Sequence, residues 1–555
     1  MPAVSEPPVA RAARVTLIVI TAMAALLRLW RLGDAPPGIN QDEAINAWNA
    51  FCLLRTGHDM TGQSWPLFYS HAIGDNRTTL MYYAMLPFQA IGGLNVATTR
   101  LPAAIAGILG VPLIYYVGAR LFGRWAGLVA AALLTFNPWH LFFSRWAIEG
   151  VLCPFLALAS LAAILGAGLP LTDGEPPPPR PWLGALAGLA AGIACYGYWA
   201  MRIYVPVLLV IALLTPWRRT WTWVRSGAGA RTMLAFAIAL AATLGPLAWR
   251  HLVDPAVWHR AEMTRLWEPG TPFPEILSRV LSRYLVHFGP DFLFVRGDHY
   301  ELSAPPDRGE FDGYLLPLML IGLGACLWRA RRSISARMLL ALVAIYPAGD
   351  LIARYDGAHA FRSAPGVGAL VLLAACGAVT AVRWLARRSR ALAGIAVAAL
   401  LTAATIAHVG FLRTFFGEYN QRFDVYHGFQ TDLLEASTWL KPRFREADAV
   451  VCTGTGMNQP FAITLVGLDY DPARWFRDAH DVRQLDGWDH HLRYGKVYFL
   501  DGDRGRATLD SLATGGRRWR SYFIVRPGEL GLRDPVHVVH RPDGSDALWI
   551  CEVGR

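Results

Sequence analysis

Long apolar runs separated by short polar connectors fill the first three quarters of the chain. They lie near 15–32, 100–119, 126–143, 151–169, 182–199, 203–216, 232–249, 313–328, 338–353, 364–382 and 391–412. A bilayer core of about 30 Å takes roughly 20 apolar residues of α-helix, so this repetition predicts a polytopic α-helical membrane protein with about 11 transmembrane helices. The segment 79–93 is also apolar but only fifteen residues long, which predicts a re-entrant or interfacial piece rather than a span. From about 414 the pattern changes to short β-type runs: Ala449–Cys452, Val497–Leu500, Tyr522–Val525 and Val536–Val539. The last of these is expected to pair with Ala547–Ile550 across the Asp543-Gly544 turn. Leu433–Leu440 has the spacing of an amphipathic helix and stops before Pro442. The expected organisation is a membrane domain over 1–413 followed by a soluble extracytoplasmic α/β domain over 414–555.

Composition sharpens this picture. Of 555 residues 54% are hydrophobic and 17% charged, against about 25% charged in a typical soluble protein, so a purely soluble enzyme is excluded. The net charge of +11 is a question of topology before it is a question of partners. With the N-terminus cytoplasmic and eleven alternating spans, cytoplasmic segments hold seventeen arginines against Glu6, Asp173 and Glu175, as the positive-inside rule requires. Counting 79–93 as a full span would place those arginines outside. The basic balance therefore orients the chain in the membrane and implies no nucleic acid. Arg11 and Arg14 precede the run from Val15 to Leu27, and no small-residue cleavage site follows it, so that run is expected to stay as the first span. The seven cysteines show no CxxC spacing. Cys452 and Cys551 fall in strand-like segments, which leaves a disulfide between them open.

On this topology the segments 33–99, 144–149, 200–202, 250–312, 354–363 and everything after 413 share the outer face, and four groups of reactive side chains fall on them. Asp42 and Glu43 begin a predicted helix over Asp42–Leu54; two carboxylates there can simply cap it, but they stand on an outer loop beside the lipid. Arg145 and Glu149 are spaced as an interfacial ion pair. Tyr196, Tyr198, Arg202 and Tyr204 crowd one turn, where an aromatic belt is the plainer explanation. His359 and Arg362 occupy the turn before the tenth run; a guanidinium grips phosphate with two parallel hydrogen bonds, or else snorkels to headgroups. The loop 250–312 adds His287, Asp291, Arg296, Asp298, His299 and Glu301, a set too loosely spaced to specify a metal site. Gly454-Thr455-Gly456 lacks the third glycine of a dinucleotide fingerprint and reads as a strand-to-loop turn.

Several short motifs together resemble the GT-C membrane glycosyltransferases. They are Arg28-Leu29-Trp30-Arg31-Leu32-Gly33, Pro37-Gly38, Asp42-Glu43-Ala44 and Gly57-x-Asp59, then Arg100-Leu101-Pro102, Arg120-Leu121-Phe122-Gly123, Asn137-Pro138-Trp139-His140 and Ser144-Arg145. Their order is similar to that in the dolichyl-phosphate-mannose–protein mannosyltransferase and lipid A aminoarabinose transferase group, over 15–413 and hardly at all beyond. The resemblance implies an inverting transfer of a sugar, hexose or pentose, from a polyprenyl-phosphate donor at the outer face of a cell membrane, in a bacterium the inner one. It makes Asp42 the catalytic base with Glu43 as its neighbour, and places Arg145, Glu149, Tyr198, Arg202, His359 and Arg362 in substrate binding. The acceptor, whether protein, lipid or glycan, stays open. So does a divalent metal, which some relatives use and others do not; no cofactor is implied with certainty. The alternative is a transporter or flippase of a lipid-linked sugar. Against it, mid-span ionisable residues are almost absent, with Asp350 near a span end and His408 the exceptions.

Overall fold

A computed structural model describes residues 8–300, 302, 308–485, 487–500, 507 and 520–554. In chain order its helices and strands begin with α1 (Pro8–Leu29), α2 (Gln41–Thr56), β1 (Tyr69–Ala72), β2 (Asp75–Thr78), α3 (Leu80–Gly92), α4 (Val96–Phe122), α5 (Arg124–Phe136), α6 (Pro138–Phe143) and α7 (Cys153–Gly166). Next come α8 (Pro181–Ala194), α9 (Met201–Leu214), α10 (Trp217–Arg225), α11 (Gly227–Val253), α12 (His259–Thr264), α13 (Phe273–Val286), α14 (Leu315–Arg329), α15 (Ile334–Ile345), α16 (Ala360–Ser363), α17 (Val367–Arg388) and α18 (Arg390–Arg413). The C-terminal part holds α19 (Tyr419–Gln421), α20 (Phe423–Gly428), α21 (Thr431–Leu440), β3 (Ala449–Thr453), α22 (Pro460–Gly467), α23 (Pro472–Trp475), β4 (His480–Leu485), β5 (Trp488–Tyr494), β6 (Val497–Leu500), β7 (Arg520–Val525), β8 (His537–His540) and β9 (Asp546–Gly554).

Each of the eleven apolar runs overlaps helix, although the run 182–199 is helical only to Ala194 and the run 338–353 only to Ile345. Among the described residues six helical stretches are long and apolar enough to cross a membrane: Ala10–Leu29, Val96–Phe122, Glu149–Gly166, Gly227–Val253, Ala360–Arg388 and Arg390–Gln421. The pair α9 and α10 adds a seventh if counted together, although they meet at 79°. Helices α5, α8, α14 and α15 are shorter apolar ones. Proline explains part of this shortness: Pro138 opens α6 immediately after α5, with the Asn137 side chain accepting from the His140 amide, so the third run is two helices meeting at an Asn-Pro joint.

The chain packs as two compact units. One comprises Met1–Trp30, Ala103–Arg145 and Glu149–Arg413; the other comprises Arg31–Pro102, Trp146–Ile148 and Thr414–Arg555. The first is the helical, membrane-type unit. The second joins the loop after α1 to the C-terminal sheet, and that junction is a shared core. Trp48 of α2 is fully buried, with Trp475 and Tyr470 edge-on at 6.0 and 6.4 Å. Its sheet runs β4-β5-β6-β3-β7-β9-β8, with β3 parallel to both β6 and β7 and the outer pairs antiparallel. The expected pairing of β8 with β9 is present, Val539 facing Leu548. Side chains alternate between the two faces of the sheet. Cys452 packs with Tyr522 and Ile524 on one face, while Cys551 packs with Val451 and Phe523 on the other. All seven cysteines are free and buried; the pairing left open for Cys452 and Cys551 is corrected by this two-sided placement.

Candidate functional site

Helix α2 begins with Asn40, whose side chain accepts from the Asp42 amide, while the Glu43 carboxylate accepts from the Asn40 amide, forming a capping box. Glu43 does more than cap. Its Oε1 and Oε2 take a two-pronged grip from Arg100, each at 2.9 Å, and Oε1 also accepts from the Ala147 amide at 2.8 Å. Both side chains are fully buried. Arg100 spends its other donors on the carbonyls of Leu32, Pro36 and Gly38, so the pair ties the turn 32–40 to the start of α4.

Asp42 is turned the other way. Its side chain is 36% exposed and meets Arg77 of β2 at 2.5 Å through Oδ1; among the described residues Oδ2 has no partner. The β1–β2 hairpin that delivers Arg77 is pinned to β5 by the Asp489 amide, which donates to the Ile73 carbonyl. Asp42 is therefore an oriented and reachable carboxylate, whereas Glu43 is saturated. Among the described residues no three His, Cys, Asp or Glu side chains are grouped to hold a metal ion, and Glu301 lies outside the described residues.

In the helical unit, a second arrangement gathers around α13, the turn after α15, and α16. Asp350 is fully buried and faces two guanidinium groups and an imidazole: Arg283 at 2.7 Å, Arg362 at 3.6 Å and His287 at 3.2 Å. It also accepts from the His359 amide. Asp298 accepts from His359 Nδ1 at 2.9 Å, from the Tyr355 hydroxyl at 2.6 Å and from the amides of Ala360 and Tyr300. The Tyr355 ring stacks on His359 at 4.1 Å. Burial raises the Asp298 carboxyl, but the hydrogen bonds from His359 and Tyr355 outweigh it and hold the group below the ordinary carboxylate range. Next to it Glu310 is sealed from solvent and receives the Asp298 amide; burial and the Asp298 charge push its carboxyl well above that range. Tyr198 hydrogen-bonds Arg362 and packs edge-on to Phe361 at 5.0 Å. Gly150 admits Phe361 so closely that a Cβ there would sit 2.4 Å from the ring, which brings Glu149 to the same place; its charge acts on Tyr198.

Four sequence-predicted residues, Glu149, Tyr198, His359 and Arg362, thus share one location. Arg145 and Arg202 face other partners. Arg145 is fully buried and donates to the carbonyls of Leu27 and Arg28, closing the C-terminal end of α1. Arg202 lies 4.0 Å over the Trp199 ring and bonds His251 and the Cys195 carbonyl. Tyr196 donates to the Thr243 carbonyl. Sequence reasoning missed Arg77, Arg100, Arg283 and the organising role of Asp350. Each pairs with a residue 35 to 67 positions away, and no periodicity or local spacing encodes such a pair.

Residues 76–249 match the sequence profile of the family described as Dolichyl-phosphate-mannose-protein mannosyltransferase. No curated protein matches the chain. Among solved structures, ArnT from Cupriavidus metallidurans in the apo state is similar at 14% identity and a TM-score of 0.53, over 98% of this chain and 98% of that one. ArnT from the same organism bound to undecaprenyl phosphate gives 14% identity and 0.52, over 96% and 97%. The apo oligosaccharyltransferase of Archaeoglobus fulgidus gives 12% identity and 0.48, over 82% of this chain and 64% of that one. The profile match covers residues 76–249, and over nearly its whole length the chain has the fold seen in ArnT from Cupriavidus metallidurans.

Proposed function

We propose that the protein is an inverting glycosyltransferase that moves a sugar from a polyprenyl-phosphate donor to an acceptor at the outer face of the membrane. The observation that carries this reading is the contrast within α2. Of two adjacent carboxylates, Glu43 has every lone-pair direction occupied, while Asp42 is held by one arginine and keeps an oxygen open. A carboxylate so placed suits a general base. It takes the proton from the acceptor hydroxyl or amine as that group attacks the anomeric carbon; the bond from that carbon to the donor phosphate breaks, and the phosphate leaves with the bonding electrons. No covalent sugar–enzyme intermediate is needed, so one base suffices.

The departing phosphate gains negative charge, and Arg362 with His359 is the pair we assign to it. Their support is the buried acidic frame behind them. Asp298 engages His359 through Nδ1, which leaves Nε2 for the ligand, and Asp350 steadies the Arg362 guanidinium. ArnT with undecaprenyl phosphate supports the donor class. The excess of arginine on the predicted cytoplasmic segments supports the sidedness, with the N-terminus inside and 414–555 outside. The mannosyltransferase profile and the ArnT fold leave open whether the sugar is a hexose or a pentose.

The test uses the full chain in proteoliposomes with a radiolabelled polyprenyl-phosphate sugar. Asp42→Asn is expected to abolish transfer, by at least about 10²-fold, while the protein still binds the lipid donor. Arg362→Gln is expected to weaken donor binding. Undiminished transfer in Asp42→Asn overturns the base assignment, and movement of donor lipid across the bilayer that survives both changes favours a transporter.

A further inference from the structure

The connection from α9 to α11 has a feature that sugar transfer does not use. After α9 the chain turns by 79° into α10, so α10 lies across the direction of the apolar helix before it. Residues 215–231 hold Arg218, Arg219, Arg225 and Arg231 and no carboxylate. Around α10 the side chains sort by angle. Thr220 is buried and Trp223 and Val224 are half-buried, facing the helical unit. Trp217 and Trp221, one turn apart, are 59% and 56% exposed. Beside them stand the exposed Arg218 and Arg225, whose guanidinium groups lie 5.5 Å from the Trp217 ring and 4.9 Å from the Trp221 ring. Arg219, further round, donates to the Thr172 carbonyl.

This order of protein-facing, apolar and cationic strips is that of a helix lying in a membrane interface. Its surroundings agree. Exposed Trp125, Trp182, Trp328 and Trp384 stand at ends of α5, α8, α14 and α17 whose connections the arginine distribution assigns to the same side as α10, and Arg388 stacks on Trp384 at 4.6 Å. Tryptophan beside arginine at helix ends marks the headgroup level. In the adjoining connection, Asp173 is occupied by the Ser333 hydroxyl and the Ile334 amide.

We propose that α10 is a binding site for anionic phospholipid, with Trp217 and Trp221 set among the acyl chains and Arg218 and Arg225 on the headgroup phosphate. Charge complementarity selects the occupant: a neutral zwitterionic lipid offers the same apolar region but no net charge to two guanidinium groups that have no carboxylate on their helix and no acidic partner among the described residues. The site is distinct from the donor site proposed above and does not depend on it.

The test is native mass spectrometry of the full-length protein in detergent, with phosphatidylglycerol or phosphatidylcholine titrated in. The tightest phosphatidylglycerol site is expected to weaken about 30-fold in the Arg218→Gln/Arg225→Gln double variant, equivalent to about 1 kcal/mol per arginine. The Arg218→Lys/Arg225→Lys double variant is expected to keep it, and phosphatidylcholine binding should be the same in all three proteins. Undecaprenyl phosphate serves as the comparison lipid; its binding should be unaffected by the double glutamine change. Phosphatidylglycerol binding equal to wild type in the glutamine variant overturns the proposal, as does a parallel loss of phosphatidylcholine.

Discussion

Neighbouring positions on an α-helix point about 100° apart, and in α2 that angle separates a sealed carboxylate from an open one. The consequence is measurable as a split between stability and activity. Glu43→Gln leaves Arg100 buried without a counter-charge, and breaking such a pair costs about 3–5 kcal/mol; the apparent unfolding temperature in detergent should fall sharply. Asp42→Asn touches a partly exposed pair with Arg77, worth at most about 1 kcal/mol, so that variant should keep its unfolding temperature while losing transfer. Glu310 offers a pH signature of its own. Its folded carboxyl prefers the proton, so its stabilising contribution is complete below the unfolded value of about 4.3 and is lost as pH rises through the folded value. The unfolding temperature of the wild type should therefore drop between pH 5 and pH 8 by more than that of Glu310→Gln. An equal drop in both proteins would show that Glu310 does not carry this dependence.

At the scale of elements, the contact between the Glu149–Leu152 turn and α16 sets where Phe361 sits, and Phe361 lies between His359 and Arg362 in the chain. Gly150→Ala places a methyl group where the Phe361 ring is. The ring and its neighbours must move, and a displacement near 1 Å at a catalytic site costs up to about 10²-fold in rate. Sugar transfer by Gly150→Ala is expected to fall toward that figure, with a KM for the lipid donor above that of wild type. Transfer at wild-type level would mean that the turn and α16 do not depend on each other. Elements of this unit were largely legible from sequence, since eleven apolar runs became helix and a polar position inside them would have cost too much to escape notice. The strands β3, β6, β7 and β9 were legible for a related reason: they are buried in the sheet and read as apolar runs. Strands β4 and β5, rich in Asp, His and Arg, carry no such pattern, because β4 is an exposed edge and its side chains answer to water rather than to a core. The β1–β2 hairpin escaped too; its buried Asp75, Asn76 and Arg77 are polar, and the Asp42 partner of Arg77 lies 35 positions away in the chain. The ion pairs of Glu43 and Asp350 were invisible for the same reason, and they are what turns a list of charged residues into a site.

For the whole molecule, the important fact is that 414–555 is not an appendage. Its core includes Ile39, Ile45 and Trp48, the Ile39 amide donates to the Phe429 carbonyl, and Asn40 donates to the Gly428 carbonyl. A protein truncated after Arg413 should consequently lose more than a domain. Residues 31–102 are expected to become sensitive to limited proteolysis, and transfer should vanish although Asp42 and Arg362 are both present. Resistance of 31–102 to protease in the truncated protein would show that the loop holds its structure alone.

The same assembly from distant segments imposes an order in time. Asp42 leaves the ribosome early, but the carbonyls of Gly428 and Phe429 that fasten the start of its helix come almost four hundred residues later. At about 5–20 residues per second, the interval is on the order of twenty to eighty seconds. On the topology proposed above, the first outer loop is across the membrane throughout it, with its hydrophobic side, Trp48 included, uncovered. On that topology and the proposed function, a newly inserted chain is held inactive until synthesis is nearly complete, and quality-control factors on the outer side of the membrane meet this loop before its own partner does.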